Sequence, residues 1–470
     1  MLAAAIGAAF LSIAFIRATH AAASGIVVIP VAGELGGGIV TFDRSFVVPP
    51  GTAQIDIDVD CPGDEVARLE FGARGPAGVR GWTSVDHVHM DAISASHGYL
   101  PGPIEPGEWH VMAGGPLAAR SSPTAFEMTI RLSDRLDTPR PTVTSRAGWF
   151  AGDLHTHTGH GDGYHTDRGG RSTPVFVFEL ATRARSAGLD FLAVTEHNTA
   201  SHWVDVDRVQ TARTDLLLLH GREITTPEGH FNAIGERRVT EFQLTPFRSM
   251  SRLLLDAGKD GAFLSINHPW LESSEWCYGC GWSGADPEAL RFAHGVEVVN
   301  GSTPTGARLP GWSWWAERLN HGARLVAVGG SDLHDPEGGK AAIGKPSTVV
   351  WSSALSEERI VAGLKSGRAF VRLSPDDPAS VDLHAAGVDA GAAMGQAIRG
   401  GTMTLSATVA HAAGAECEWI RRGAVIRTVR ITRDEWIDTL PVDARRGDWF
   451  SVIVRARGRA RLISNAIYVN

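Results

Sequence analysis

The stretch GDLHTHTGHGDG, residues 152–163, decides how the chain reads. Side chains along an extended strand alternate between its two faces, so His155 and His157 point the same way. Two imidazoles side by side at a strand end suit a single metal ion. A glycine-rich turn follows, and Asp162 can bring a carboxylate back from the loop.

Outward from this stretch, the same design recurs. Between Gly148 and about Arg372, short apolar runs alternate with helical stretches: AGLDFLAVTEH, TDLLLLHGREIT, GAFLSINHP, GVEVVNG and ARLVAVGGSDLH. Strand–helix alternation points to a parallel α/β barrel or sheet, and in α/β barrels the catalytic groups gather at the carboxyl ends of the strands. The runs end in His197, Glu223, His230 (in EGHFN), His268, and the pair Asp332 and His334, which repeats the same-face spacing. Six imidazoles and three carboxylates, enough for two or three divalent ions, therefore reach strand ends within residues 148–372.

The flanks have a different texture. From Gly25 to about Arg140, the segments IVTFDRSFVV, AQIDIDVD, VARLEFGAR and AFEMTIRL alternate apolar and polar residues between Gly/Pro turns. That pattern predicts an N-terminal β-sandwich or jelly-roll domain over 25–140. DTPRPT at 137–142 reads as a linker. After SPDDP at 374–378, the runs GTMTLSATVA, AVIRTVRITR, WFSVIVRAR and ARLISNAIYVN predict a small C-terminal β domain over 379–470. At 470 residues, two or three domains are expected. With 43% hydrophobic residues, 20% charged and a net charge of −8 spread along the chain, there is no basic face for nucleic acid.

The first residues read as a targeting segment. Leu2–Ile16 is an apolar run followed by Ala21, Ala22 and Ala23, which predicts a signal peptide over 1–23 and a periplasmic or secreted protein. No Lys or Arg precedes the run, so an uncleaved N-terminal anchor is the alternative. Cys277 and Cys280 stand in WCYGCGW, while Cys61 and Cys417 stand alone. A structural zinc site wants a second such pair. A small disulfide-closed loop and two free thiols near the pocket are the two readings that remain.

His155-Thr-His157, Glu196-His197-Asn198, Glu223, His230, His268 and Ser331-Asp332-Leu333-His334 together resemble the PHP (polymerase and histidinol phosphatase) metallohydrolase superfamily. GYLPGPIEPGEWHV at 98–111, GWTSVD at 81–86 and the terminal SNAIYVN make the chain similar to the CehA/McbA-type members, named for carbamate-insecticide hydrolases. The resemblance implies a distorted PHP-type (β/α)7 barrel over 148–372. It also implies a trinuclear site: His155, His157, Glu223 and Asp332 on one ion, Glu223 bridging to a second on His230 and His268, and Asp162, His197 and His334 on a third. Asp162 takes a slot that is His in some relatives, and Glu196 replaces the commoner Asp.

The implied function is a hydrolase using a metal-bridged hydroxide on a phosphoester or on a carbamate or carboxylic ester, with Zn, Mn or Fe as the ions. Asp332 and Glu223 are the expected catalytic carboxylates, Asp332 also passing a proton to the leaving group. Asp153 and Asp335 could orient imidazoles. A small-molecule ester is the expected partner, without nucleic acid, and the oligomeric state is open. His160, His165, His202, Arg171, Arg222 and Lys340 lie near ligand positions as candidates for substrate contact, with solvated loop residues as the alternative. Trp270, Trp276, Trp282, Trp312, Trp314 and Trp315 could line a pocket or pack loops. His87 and His89 imitate the paired-histidine motif inside the β region, where surface histidines are expected. The rival reading is a non-enzymatic metal-containing binding protein on the same barrel.

Overall fold

The computed structural model describes residues 19–20, 26–62, 69–84, 86–92, 94–134, 142–166, 172–274, 277–301, 309–338, 341–388 and 390–470. Apart from Thr19 and His20, the expected signal peptide lies outside them, as do Arg171, Trp276, Lys340 and nearly all of the 137–142 linker. The chain divides into two compact units, Met1–Pro139 and Arg140–Asn470.

In the first unit the strands are β1 (Ile26–Leu35), β2 (Phe42–Val48), β3 (Gln54–Asp60), β4 (Glu70–Gly75), β5 (Gly78–Thr83), β6 (His87–Asp91), β7 (Gly107–Gly114) and β8 (Thr124–Ser133). They form two antiparallel sheets ordered β1-β8-β3-β6 and β2-β7-β4-β5, with the short strand Thr19–His20 on the edge of β1. The period-two pattern explains them: Ile55, Ile57 and Val59 of β3 and Phe126, Met128 and Ile130 of β8 are buried. Phe71, Trp109 and Val111 of the other sheet belong to the same core.

The second unit is richer in strand than the sequence alternation suggests. Its first strands are β9 (Gly148–Asp153), β10 (Phe191–Val194), β11 (Leu217–Thr226), β12 (Gly229–Ile234), β13 (Phe263–Ile266), β14 (Gly295–Asn300), β15 (Val326–Gly330), β16 (Ser347–Ser352) and β17 (Ala369–Arg372). Five α-helices occur among the described residues: α1 (Val177–Ser186), α2 (Trp203–Thr211), α3 (Met250–Gly258), α4 (Pro310–Asn320) and α5 (Glu357–Ser366). Val177, Leu180, Ala181 and Ala184 of α1, and Met250, Leu253, Leu254 and Ala257 of α3, place buried residues at helical spacing. Strands β10, β12, β13 and β14 are buried at every residue, as expected of strands covered on both faces.

The sheet is mixed rather than all parallel. Strands β9, β10 and β11 pair in parallel, as do β13, β14 and β15, but β12 is antiparallel to both β11 and β13. The expected parallel order is corrected here, because the short Pro227–Glu228 connection can only return the chain antiparallel. Beyond β9 the sheet continues through β16 and β17, both antiparallel. The named strands form no closed ladder. The segments just past β9 and β15 nevertheless meet, with Asp332 N donating to His155 O at 2.8 Å and His157 N to Leu333 O at 3.0 Å.

Strand β17 pairs with Arg459–Ser464, so the sheet runs on into the C-terminal strands without a break. Leu405, Trp419 and Val452 share a core with Leu180, Leu192 and Val349 of the α/β part.

Candidate metal centre

The carboxyl ends of the parallel strands share one end of the sheet with the start of β12, and the sequence places its donors there. His155 and His157 follow β9, His197 follows β10, Glu223 lies in β11 and His230 opens β12. His268 follows β13, and Asp332 and His334 follow β15. The backbone is unusual at these exits. His268 (φ 28°), Asp332 (φ 53°) and Asn198 (φ 56°), which follows His197, all have positive φ. Positive φ is uncommon outside glycine, with Asn, Asp and His its most frequent occupants, and residues held there often lie at functional sites. At Asn198 the cause is visible: its amide side chain bonds Thr225 N at 2.9 Å and Thr225 O at 3.2 Å.

Glu223 is the hub. It is fully buried, and five imidazoles face it: His197 Nδ1 at 2.9 Å, His230 Nδ1 at 3.2 Å, His155 Nε2 at 3.3 Å, His268 Nε2 at 3.5 Å and His157 Nε2 at 3.6 Å. Asp332 Oδ1 stands 3.2 Å from His157 Nε2, 3.3 Å from His155 Nε2 and 3.5 Å from His334 Nδ1. Asp162 lies 3.2 Å from His334 Nε2, 3.6 Å from His197 Nε2 and 3.9 Å from His157 Nδ1. Ligand atoms each about 2.1 Å from a shared ion at a tetrahedral angle sit roughly 3.4 Å apart, which is the spacing seen.

Among the described residues four groups of donors lie within mutual reach: His155, His157 and Asp332; His155, Glu223 and His268; His157, Asp162, His197 and His334; and His230 with Cys277 and Cys280, whose sulfurs are joined in a disulfide. All nine expected ligands therefore converge, although the grouping differs from the expected one. His155 is shared by two sets, His157 joins the Asp162 set, and His230 meets the others through Glu223.

The outer nitrogens of the rings explain how the inner ones are aimed. His268 Nδ1 bonds Cys280 O at 3.1 Å, His334 Nδ1 bonds Asp332 O at 3.0 Å and His230 Nε2 bonds Tyr278 O at 3.0 Å. A carbonyl can only accept, so each of these nitrogens carries a proton, which turns the ring's other nitrogen toward the centre. His155 Nδ1 donates to Glu297 Oε1 at 2.8 Å in the same way. On the inner side, His155 Nε2, both nitrogens of His157 and Glu223 Oε2 are buried without a hydrogen-bond partner. Buried polar atoms are almost always satisfied, and a cation would satisfy His155 Nε2, Glu223 Oε2 and one nitrogen of His157. Burial and the neighbouring His334 hold His157 down at about 3, in the neutral form that ligates. Burial works against ionised Glu223 and Asp332, but the imidazoles overcome it and keep both carboxyls well below the usual range.

Several supporting groups escape the sequence reading. Glu297 accepts from His155 Nδ1 and, through Oε2, from His268 N at 2.9 Å and Asn300 Nδ2 at 3.1 Å. Asn267 Nδ2 donates to Glu223 Oε1 at 2.9 Å. The only sequence signal was polar residues inside or beside otherwise apolar buried strands.

Other expectations are corrected. Asp153 orients no imidazole: it accepts backbone N–H groups of Ser331, His155 and Gly344, and so ties loops together. Asp335 accepts the N–H groups of Glu337 and Gly338. His202 is fully buried, its Nε2 near the carbonyls of Val194 and Gly221, and Arg222 is fully buried against Glu236. Neither is placed to meet a substrate, because burial depends on packing that spacing does not reveal. His160 is partly exposed between Ser201 Oγ and Asp205 Oδ2, both at 2.9 Å. The ring of Trp270 packs on Gly311 of α4, where a Cβ would lie 2.1 Å from it. Trp282, Trp312, Trp314 and Trp315 pack in one core cluster. Glu196 accepts from Thr158 N at 2.8 Å and sits 4.0 Å from His157 Nδ1, its carboxyl pushed up to about 7 by burial. In the first unit, His87 is exposed, but His89 is buried between Asp56 and Asp91.

No family model matches the chain, and no curated protein matches it. Solved structures do. A two-domain protein of Bacteroides vulgatus containing a predicted PHP-like metal-dependent phosphoesterase is similar at 19% identity and TM-score 0.39, over 71% of this chain and 98% of that one. An amidohydrolase of Chromobacterium violaceum with bound sulfate and no metal is similar at 18% identity and TM-score 0.29, over 39% and 88%. A Bifidobacterium adolescentis protein described as a candidate metal-dependent phosphoesterase is similar at 16% identity and TM-score 0.30, over 41% and 90%. At such low scores these likenesses carry no functional conclusion.

Proposed function

We propose that the chain is a metal-dependent hydrolase of the PHP superfamily, on a distorted barrel and of the CehA/McbA type. The observation that carries this reading is the aim of the imidazoles: outer nitrogens tied to carbonyls or Glu297, inner nitrogens turned to Glu223 and Asp332. His155, His157, Asp162, His197, Glu223, His230, His268, Asp332 and His334 would hold two or three divalent ions. Bound there, Zn, Mn or Fe would supply Lewis acidity and a water activated near neutral pH.

The chain's own groups do the rest. Glu223 and Asp332 keep their negative charge and so can hold more than one cation together. Asp332 is less deeply enclosed than Glu223, and its Oδ2 is steadied by Asn300 Nδ2 at 3.2 Å. It is therefore the carboxylate placed to take a proton and return it to a leaving group. His160, which is exposed, and Trp270, which is half-buried, remain candidates for contact with a small ester substrate. Phosphoester and carbamate or carboxylic ester substrates both suit such a centre. The oxidised Cys277–Cys280 pair supports export, since disulfides persist outside the cytosol.

A panel of p-nitrophenyl phosphates, carboxylic esters and carbamates, assayed with Zn, Mn or Fe, tests the activity. The expected result is turnover of at least one class, lost by a factor of at least about a thousand in Asp332→Asn with native circular dichroism. Bound metal with no turnover on any of them would favour a binding protein, and near-normal turnover in Asp332→Asn would remove the role given to that carboxylate.

A further inference from the structure

The loop after His268 carries a feature that hydrolysis does not use. Cys277 and Cys280 are joined by a disulfide, with Cα atoms 5.4 Å apart. Cys280 is buried, Cys277 half-buried and the Tyr278 side chain exposed. What the loop turns toward the metal centre is its backbone. Tyr278 O accepts from His230 Nε2 at 3.0 Å, and Cys280 O accepts from His268 Nδ1 at 3.1 Å. The other nitrogens of the same two rings face Glu223 Oε1 at 3.2 and 3.5 Å. Two carbonyls, two residues apart, thus set the tautomer and direction of histidines that come from different strands.

This loop has no regular ladder to hold it. Among the described residues its ties are single turn and cap bonds: Cys280 N to Cys277 O at 3.4 Å, Ser274 N to Cys277 O at 3.1 Å, Trp282 N to Pro269 O at 3.1 Å and Gly279 N to Ser273 Oγ at 2.8 Å. Gly279 has φ 81°, and a Cβ there would lie 1.9 Å from Thr226 O, so the loop is pressed against the end of β11. The covalent link across the turn Cys277–Cys280 removes freedom that would otherwise let the two carbonyls wander.

We propose that the Cys277–Cys280 disulfide is a positioning element of the metal centre: it holds the Tyr278 and Cys280 carbonyls that aim His230 and His268 at Glu223. The proposal rests on the reading of the site as a metal centre. Opening the bond adds two electrons and two protons and leaves two thiols; with a phosphine as reductant, the phosphine becomes its oxide by taking oxygen from water. The ion that His230 and His268 would share with Glu223 is then held less tightly, while the ions on the other donors stay.

The test uses the whole chain loaded with manganese, which thiolates hold poorly, oxidised or reduced by a phosphine that is removed before measurement, together with the double variant Cys277→Ser/Cys280→Ser. Metal retained per chain is measured during titration with a chelator. The expected result is that one ion leaves at about ten- to hundred-fold lower chelator in the reduced protein and the variant. Reoxidation should restore it only in the wild type, with native circular dichroism throughout. Identical titrations of the oxidised and reduced protein would overturn the proposal while leaving the metal centre standing. Loss of every ion together with the native circular dichroism would also overturn it, since the disulfide would then staple the fold. A protein that binds no manganese in either state would overturn the metal-centre reading and this proposal with it.

Discussion

At the scale of single residues, the centre depends on groups that never touch the reaction. Gly330 shows this most sharply: a Cβ there would lie 2.4 Å from the Cβ of His155 and 2.9 Å from Glu297 Oε1. Gly330→Ala must push His155 off its acceptor, and overpacking of this kind costs about 1–3 kcal/mol. Urea denaturation should show that loss, and metal analysis should show weaker ion retention; unchanged values in both would mean the strand end is looser than described. The donors themselves were legible because a ligand is recognised by its chemistry and by its place at the end of an apolar run. Glu297 was not, because GVEVVNG reads simply as a buried strand. His202 and Arg222 were misread because linear proximity to ligands says nothing about which side chains the fold encloses.

Elements carry their own consequences. Strand β6 brings His89 between Asp56 and Asp91, where burial alone would lower its affinity for protons but the two carboxylates prevail and raise it to about 9. The raised value means that folding favours the protonated ring. This contribution is full below about pH 6.5, fades as the pH rises toward 9 and is gone above it; the shift corresponds to something on the order of 3 kcal/mol. Urea titrations of the protein between pH 6 and 10 should follow that decline in the N-terminal unit, and His89→Gln should flatten it. An equally steep decline in the variant would place the effect elsewhere. The period-two strands around β6 were readable from alternation, whereas the antiparallel β11–β12 hairpin was hidden behind an expectation of parallel pairing. Its cue was the Thr226-Pro227-Glu228-Gly229 turn, too short for any crossover. The positive φ of His268 and Asp332 had no sequence cue, since neither residue type demands it.

Across the whole molecule, the sequence conveyed the two textures, alternating strands and strand–helix repeats, better than the way they join. The C-terminal strands read as a separate domain, yet β17 pairs with Arg459–Ser464 and their side chains share a core with the α/β part. Pairing between distant segments leaves no local mark, so it could not be read from periodicity. What unites the second unit is that its parallel strands deliver their donors to one end, around a carboxylate that no Lys or Arg neutralises among the described residues. Leaving Glu223 Oε2 and the inner nitrogens of His155 and His157 buried without a partner is costly unless cations complete the cluster. Stripping the ions should therefore lower the melting temperature by several degrees, and zinc or manganese should restore it. The most direct measurement is the number of metal ions per chain in protein purified without chelator and then incubated with Zn, Mn or Fe. Two or three tightly held ions are predicted; a correctly folded chain that retains none of the three metals would contradict the account.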